Sequence, residues 1–296
     1  MVTDTGANRK SPPQRSEVVY TTLDASNVGQ VSRPLSLWER VTNVTLVRRV
    51  FILVLLALAW QLYGHWINND LIFPTFTKVM TATWDASVHG HLLHRCWNSV
   101  HLLVTGYVLG VLIATLFTTL AITTRFGSDL LETLTAMFNP LPAIALLPLA
   151  MLWFGLGTKS IIFVLIQGAL WPITLNTHAG FRSVSDSLRM AGRNYGLRGI
   201  RYVTKILIPA AFPSILTGLK IGWAFAWRTL IASELVFGVS SSSGGLGWFI
   251  FENRNELEIP YVFAGLLAVI VIGLLVESVV FRTIEVHTVR KWGMQR

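Results

Sequence analysis

The sequence has 296 residues, of which 52% are hydrophobic and only 13% charged. A water-soluble domain carries about 25% charged residues, and a chain this long could not easily hide so much apolar surface in one core, so the composition argues against an ordinary soluble protein and for a bilayer. The net charge of +9 does not point to nucleic acid, because the basic residues fall between long apolar runs, where topology and anionic lipid account for them.

Residues 1–45 are polar and rich in Pro, Ser and Thr. No apolar run follows a short basic start, so the pattern is not that of a cleaved signal peptide. The stretch reads as a disordered cytoplasmic tail, with an interfacial helix near 38–49. A membrane domain follows over 46–286, and 287–296 reads as a C-terminal tail. A spanning helix needs about 20 mainly apolar residues. The candidates are 50–66, 99–123, 141–155, 160–180, 213–237 and 261–284, which gives an all-α polytopic membrane protein of six transmembrane helices. The third run is short, but it can reach back through 130–138 across a break at Asn139-Pro140. Prolines inside these runs are tolerable in a bundle, where neighbouring helices satisfy the freed carbonyls.

The N-terminal tail, the segment between the fourth and fifth spans and the C-terminus hold most of the Lys and Arg. The opposite side holds Lys78, Arg95, Lys159 and Arg254. This asymmetry places both termini in the cytoplasm. Two external segments result. One contains a stretch, 76–89, that can lie on the membrane as a helix. The other, 238–258, opens with a Gly/Ser run in which Gly244, Gly245 and Gly247 can bring backbone close to the pore. It ends with Glu252, Glu256 and Glu258, an acidic end that reads equally as a solvated face or as a contact for a partner protein.

No phosphate-cradling Gly-rich loop with its Lys is present, and no His-Glu-x-x-His zinc helix. His89, His91 and His94 lie close together but read as surface residues. Cys96, the one cysteine, reads as a small packing residue. Ionisable groups at membrane depth face a bundle interior or water. In the fifth span this draws attention to Arg228, Trp227 and Glu234 as candidates for a translocation path. Arg228 near mid-span requires either a partner on another span or a substrate anion, whereas Lys220 reads as snorkelling.

The most informative segment is the internal loop, 182–212. Ser187 is a candidate N-cap for a short basic helix, Gly196 can supply a left-handed turn, and a second helix would stop before Pro209. Met190, Tyr195, Leu197, Ile200 and Val203 would pack the two helices into a rigid elbow, leaving Arg189, Arg193, Arg198 and Arg201 outward. The spacing resembles the coupling segment of ABC importer permeases, Glu-Ala-Ala-x-x-x-Gly-x(9)-Ile-x-Leu-Pro. Ala191 and Gly196 match the alanine and glycine, and Ile206, Ile208 and Pro209 follow at the required distance. Met190 replaces the glutamate and Gly192 the second alanine. The segments 139–155, 176–183 and 209–218 resemble the nitrate/sulfonate/taurine group of these permeases.

That resemblance covers about residues 50–290. It implies the type I ABC importer permease fold with cytoplasmic coupling helices, in the bacterial inner membrane. It implies no enzyme activity and no cofactor on this chain, with ATP and Mg bound by a dimer of separate ATPase subunits. It also implies a second permease copy, a periplasmic binding protein that delivers substrate, and a small anion as cargo. An aromatic carboxylate or pyrimidine precursor is the alternative cargo. A secondary carrier would show inverted repeats, and a membrane enzyme would show clustered His or carboxylates at one depth. Neither pattern is seen in the sequence.

Overall fold

The computed structural model describes residues 44–237 and 244–291. Nearly all of the expected tail 1–45, the serines of the Gly/Ser run and residues 292–296 lie outside the described residues. By internal contacts the chain forms two units, Met1–Leu55 and Leu56–Arg296. Of the first unit, the described part is the start of helix α1 (Thr45–Ile67).

Helix α2 (Phe76–Val88) forms within the stretch expected to be helical, and α3 (Leu92–Thr123) is a long span that begins seven residues before the apolar run proper. The added turns carry Arg95, and Ser99 stands where they meet the apolar run. Thr124 caps α4 (Arg125–Phe138) by accepting from the Gly127 amide at 2.9 Å. The break at Asn139-Pro140 is real: α4 and the following helical piece, a 3-10 turn (Ala143–Leu146) running into α5 (Leu147–Phe154), bend by 87°. Helix α6 (Thr158–Arg182) leads into the elbow helices α7 (Asp186–Asn194) and α8 (Gly199–Tyr202). A wide π turn (Val203–Leu207) then joins α9 (Ile208–Phe237) without a stop.

The expected end of the second elbow helix before Pro209 is therefore corrected. A proline ring clashes with the carbonyl of the preceding turn in a regular helix. Here the preceding turn is a π turn, whose wider winding accommodates it. Elbow and span consequently form one continuous rod. Helix α10 (Leu246–Asn255) lies between α9 and α11 (Ile259–Leu275), which continues through π and α turns to Arg290, into the stretch read as a tail.

Among the described residues five helices are long and apolar enough to cross a bilayer, and the bent pair α4–α5 would make a sixth. Their exposed surfaces are strongly apolar: Leu116 on α3 and Leu274 on α11 are more than half exposed. In water such faces would aggregate. Against acyl chains they are at home.

The core is built around α6, which packs against α3 on one face and α9 on another through residues too small to keep helices apart. A Cβ on Gly106 would fall 2.6 Å from the Leu165 Cβ, and one on Gly222 would fall 2.7 Å from the Ile173 Cγ1. Between helices in lipid, close van der Waals approach replaces the hydrophobic effect as the main attraction. At the end of the bundle away from the elbow, α2 is tied down by Asp85, which accepts from the Tyr261 hydroxyl at 2.8 Å. Gln61 accepts from the Thr77 amide at 3.1 Å. At the elbow end, Lys220 donates to Glu285 at 2.7 Å, joining α9 to the last helix. Lys220 is thus paired in the bundle and does not simply snorkel.

Candidate functional site

The helix–turn–helix expected from the sequence is present, with its start two residues earlier. Ser185, and not Ser187, is the N-cap: its hydroxyl accepts from the Leu188 amide at 3.4 Å, and Asp186 adds favourable charge in the first turn. Gly196 adopts φ +72°. Its amide donates to the Arg193 carbonyl at 2.9 Å and that of Leu197 to the Gly192 carbonyl at 3.1 Å. This pair of bonds is a Schellman stop, which caps the helix carbonyls and turns the chain sharply. Nothing lies within 4 Å of a Cβ placed on Gly196, so glycine is used there for backbone freedom alone. Gly192 differs. It is buried, and a Cβ there would sit 3.0 Å from both the Tyr202 ring and Ile206, so the glycine lets α7 lie close against the α8–π rod.

The packing inside the elbow is not the one expected. Phe181, Val184, Leu207 and Ala211 form a small buried cluster, with Tyr202 and Val203 against it. Met190 is 57% and Tyr195 85% exposed. These two side chains stand outside the brace because the Schellman turn carries Tyr195 beyond the end of α7, and Met190 lies on the face of α7 opposite Gly192. Of the other expected contacts, Leu197 is partly buried, and the side chain of Ile200 lies outside the described residues. Ile206 packs toward Gly192, while Ile208 is exposed and Pro209 partly buried.

Arg189 also departs from its expected role. Its Nη2 donates to the Phe181 carbonyl at 2.6 Å and its Nε to the Val184 carbonyl at 3.1 Å. It caps the open end of α6 and fixes the elbow to the span. Arg193, Arg198 and Arg201 are exposed. Together with Leu188, Met190 and Tyr195 they give the elbow a surface of exposed apolar groups ringed by positive charge. Apolar anchors with a charged rim are the anatomy of a protein-docking surface.

The three path candidates fall in different environments. Trp227 is buried in the main core of α3, α6, α9 and α10. Glu234 is 4% exposed and is consumed by hydrogen bonds. Its Oε2 accepts from the Gly247 amide at 2.8 Å and from the Ser99 hydroxyl at 2.9 Å, and Ser99 in turn accepts from the Leu246 amide at 2.8 Å. Neither Trp227 nor Glu234 lines a cavity described below, because each is already surrounded by protein groups. Arg228 is exposed, its guanidinium 5.9 Å from the centroid of the Phe225 ring.

The expected dip of the glycine segment is therefore a descent onto Glu234. A Cβ on Gly245 would stand 2.2 Å from both the Glu234 Oε1 and the Ser99 Oγ. Arg95 secures the same segment by donating to the Gly244 carbonyl at 2.9 Å and pairing with Glu252 at 3.6 Å. Glu256 and Glu258 stay exposed. Sequence reasoning missed Ser99 and Arg95, though both are polar residues at the end of an apolar span. Among the described residues no group of three or more metal-ligating side chains converges, and His89 instead pairs with Asp85.

Among the described residues the chain is thus an all-helical bundle with five or six candidate membrane spans and a helix–turn–helix elbow between two of them. A profile of the family described as binding-protein-dependent transport system inner membrane component matches residues 106–282. The chain is 30% identical over 246 residues to a protein of Methanocaldococcus jannaschii provisionally named as an ABC transporter permease, covering 80% of this chain and 90% of that one. It is 30% identical over 229 residues to a protein of Escherichia coli provisionally named as the aliphatic sulfonates transport permease SsuC, covering 77% and 85%. The nitrate import permease protein NrtB of Synechocystis is 33% identical over 174 residues, 59% of each chain. The chain belongs to this family of inner-membrane permeases, in its nitrate/sulfonate/taurine group, with the type I ABC permease fold.

Proposed function

We propose that this chain is one of two identical permease subunits of an ATP-driven importer, with both termini and the elbow in the cytoplasm. Each elbow docks in a cleft on a separate ATPase subunit, which holds the ATP and Mg. A periplasmic binding protein delivers the cargo to the opposite face, where Glu256 and Glu258 are exposed. The cargo is a small anion of the nitrate, sulfonate or taurine kind, a reading supported by the names of the relatives.

The observation that carries this reading is the continuity of elbow and span. Because π turn and α9 form one rod, and Arg189 ties α7 to the end of α6, a push on Met190 and Tyr195 moves two spans together. ATP-driven closure of the ATPase pair would thus switch the bundle between two arrangements.

The test is uptake into proteoliposomes. With ATPase, receptor and enclosed ATP, a radiolabelled cargo such as taurine, nitrate or an alkanesulfonate is expected to accumulate. With the permease alone, or without ATP, uptake is expected to stay at the level of empty liposomes. Cargo accumulation by the permease alone would refute the proposal.

A further inference from the structure

Three cavities succeed one another along α6, the first walled on its far side by α9 and the last by the end of α3. The first, about 250 Å³, lies at the bend and is lined by Asn139, Gln167, Trp171, Phe225 and Thr229 among others. The second, about 310 Å³, shares Asn139 and Pro140 with the first and adds Glu132, Thr135, Leu175 and His178. The third, about 250 Å³, shares His178 with the second and opens among Ser128, Arg182 and Arg189 at the elbow. On α6 the lining positions 168, 171, 175, 178 and 182 recur every three or four residues, which is one stripe of a helix.

Several polar groups along these cavities can donate to a guest. Among the described residues, the Gln167 amide nitrogen, the Trp171 indole nitrogen and the Thr135 hydroxyl are buried with no hydrogen-bond partner. A buried donor without an acceptor is costly and calls for an explanation. His178 is itself buried, with the Ser128 hydroxyl 3.4 Å from its ring. Glu132 is the one carboxylate in the three linings, and Arg182 neutralises it by donating at 2.6 Å. Arg228 adds positive charge behind Phe225, whose side chain helps line the first cavity.

We propose that the inward leg of transport follows this face of α6 and accepts a small oxyanion, with Gln167 and His178 as the side chains that select it. The oxyanion supplies acceptors for the unpaired Gln167, Trp171 and Thr135 groups. It passes from the level of Gln167 and Thr229, by Asn139 and His178, to Arg182 at the inner mouth. This assignment rests on the importer reading above and names the residues through which that import runs.

The test uses the permease–ATPase complex in inside-out vesicles, with Cys96→Ser as parent and single substitutions Gln167→Cys, Leu175→Cys, His178→Cys and, as packed controls, Leu170→Cys and Ile173→Cys. Two methanethiosulfonate probes are compared, one bearing a sulfonate and one a trimethylammonium, each normalised to its rate with a free thiol. Arg182 and Arg189 outweigh Glu132 in the linings, and a net positive cleft raises the encounter rate of anions about tenfold or more, so the sulfonate probe is expected to modify the three stripe cysteines about tenfold faster than the cationic probe. The controls are expected to stay unmodified. Leu175 is exposed, so Leu175→Cys keeps the test open if a buried variant fails to assemble. Equal reactivity at stripe and control positions, or faster modification by the cationic probe, would overturn the path while leaving the importer reading intact. Failure of the Cys96→Ser parent to recover the ATPase would instead count against that reading.

Discussion

Deletion of Arg189 to Gly199 is expected to leave the protein inserted in the membrane and to remove the ATPase from the purified complex. The spans on both sides retain their apolar length and their glycine-mediated contacts, so insertion does not depend on the elbow. The ATPase would lose the exposed apolar anchors Met190 and Tyr195 together with the charge of Arg193 and Arg198. Truncating well-packed anchors of this kind costs about 2 kcal/mol or more each, which is roughly 30-fold in affinity. Because Arg189 also caps α6, the deletion is best read beside Met190→Ala with Tyr195→Ala, which removes the anchors and spares that cap. Co-purification of the tagged permease with its ATPase measures both. Undiminished ATPase recovery with the deleted chain would exclude the elbow as the docking element.

The second large effect is expected at Glu234. Glu234→Ala leaves the Ser99 hydroxyl and the Gly247 amide buried without their acceptor. Each such group costs about 1–3 kcal/mol, so a total loss of about 2–6 kcal/mol is expected in thermal unfolding of the detergent-purified protein. Glu234→Gln keeps one carbonyl oxygen and is expected to lose about half as much. Gly245→Ala should reproduce the damage from the other side, since its methyl group would overlap the carboxylate and the Ser99 hydroxyl. A Glu234→Ala protein as stable as the parent would mean that the descending glycine segment does not depend on this carboxylate.

The spans were legible because a bilayer imposes a length and an apolar content that any sequence must display. The break at Asn139-Pro140 was legible for the same local reason, since proline removes a donor and fixes φ. The elbow's turn was readable from Gly196, where backbone conformation alone selects glycine. Partnership across space was not readable. Arg189 looks like its outward neighbours in sequence, and only the fold brings the Phe181 and Val184 carbonyls under it. Trp227 and Glu234 sit on an apolar helix whose periodicity does not say which face meets protein and which meets a path. The pairing of Glu234 with Ser99, 135 positions away, has no local signal beyond polarity in an apolar span. The same signal, polar residues in apolar surroundings, was present in Gln167 and His178 on α6, where the cavities lie. Pro209 misled because its usual effect on a helix is cancelled by the π turn before it.

On the importer reading, energy reaches this bundle through the exposed tip of the elbow. The most direct measurement places a photo-reactive phenylalanine at Tyr195, with Trp84 on the exposed face of α2 as the control position, and irradiates membranes containing the assembled transporter. A covalent adduct between permease and ATPase is predicted from position 195 and none from position 84. An ATPase adduct from position 84, with position 195 silent, would exclude the elbow tip as the point of contact.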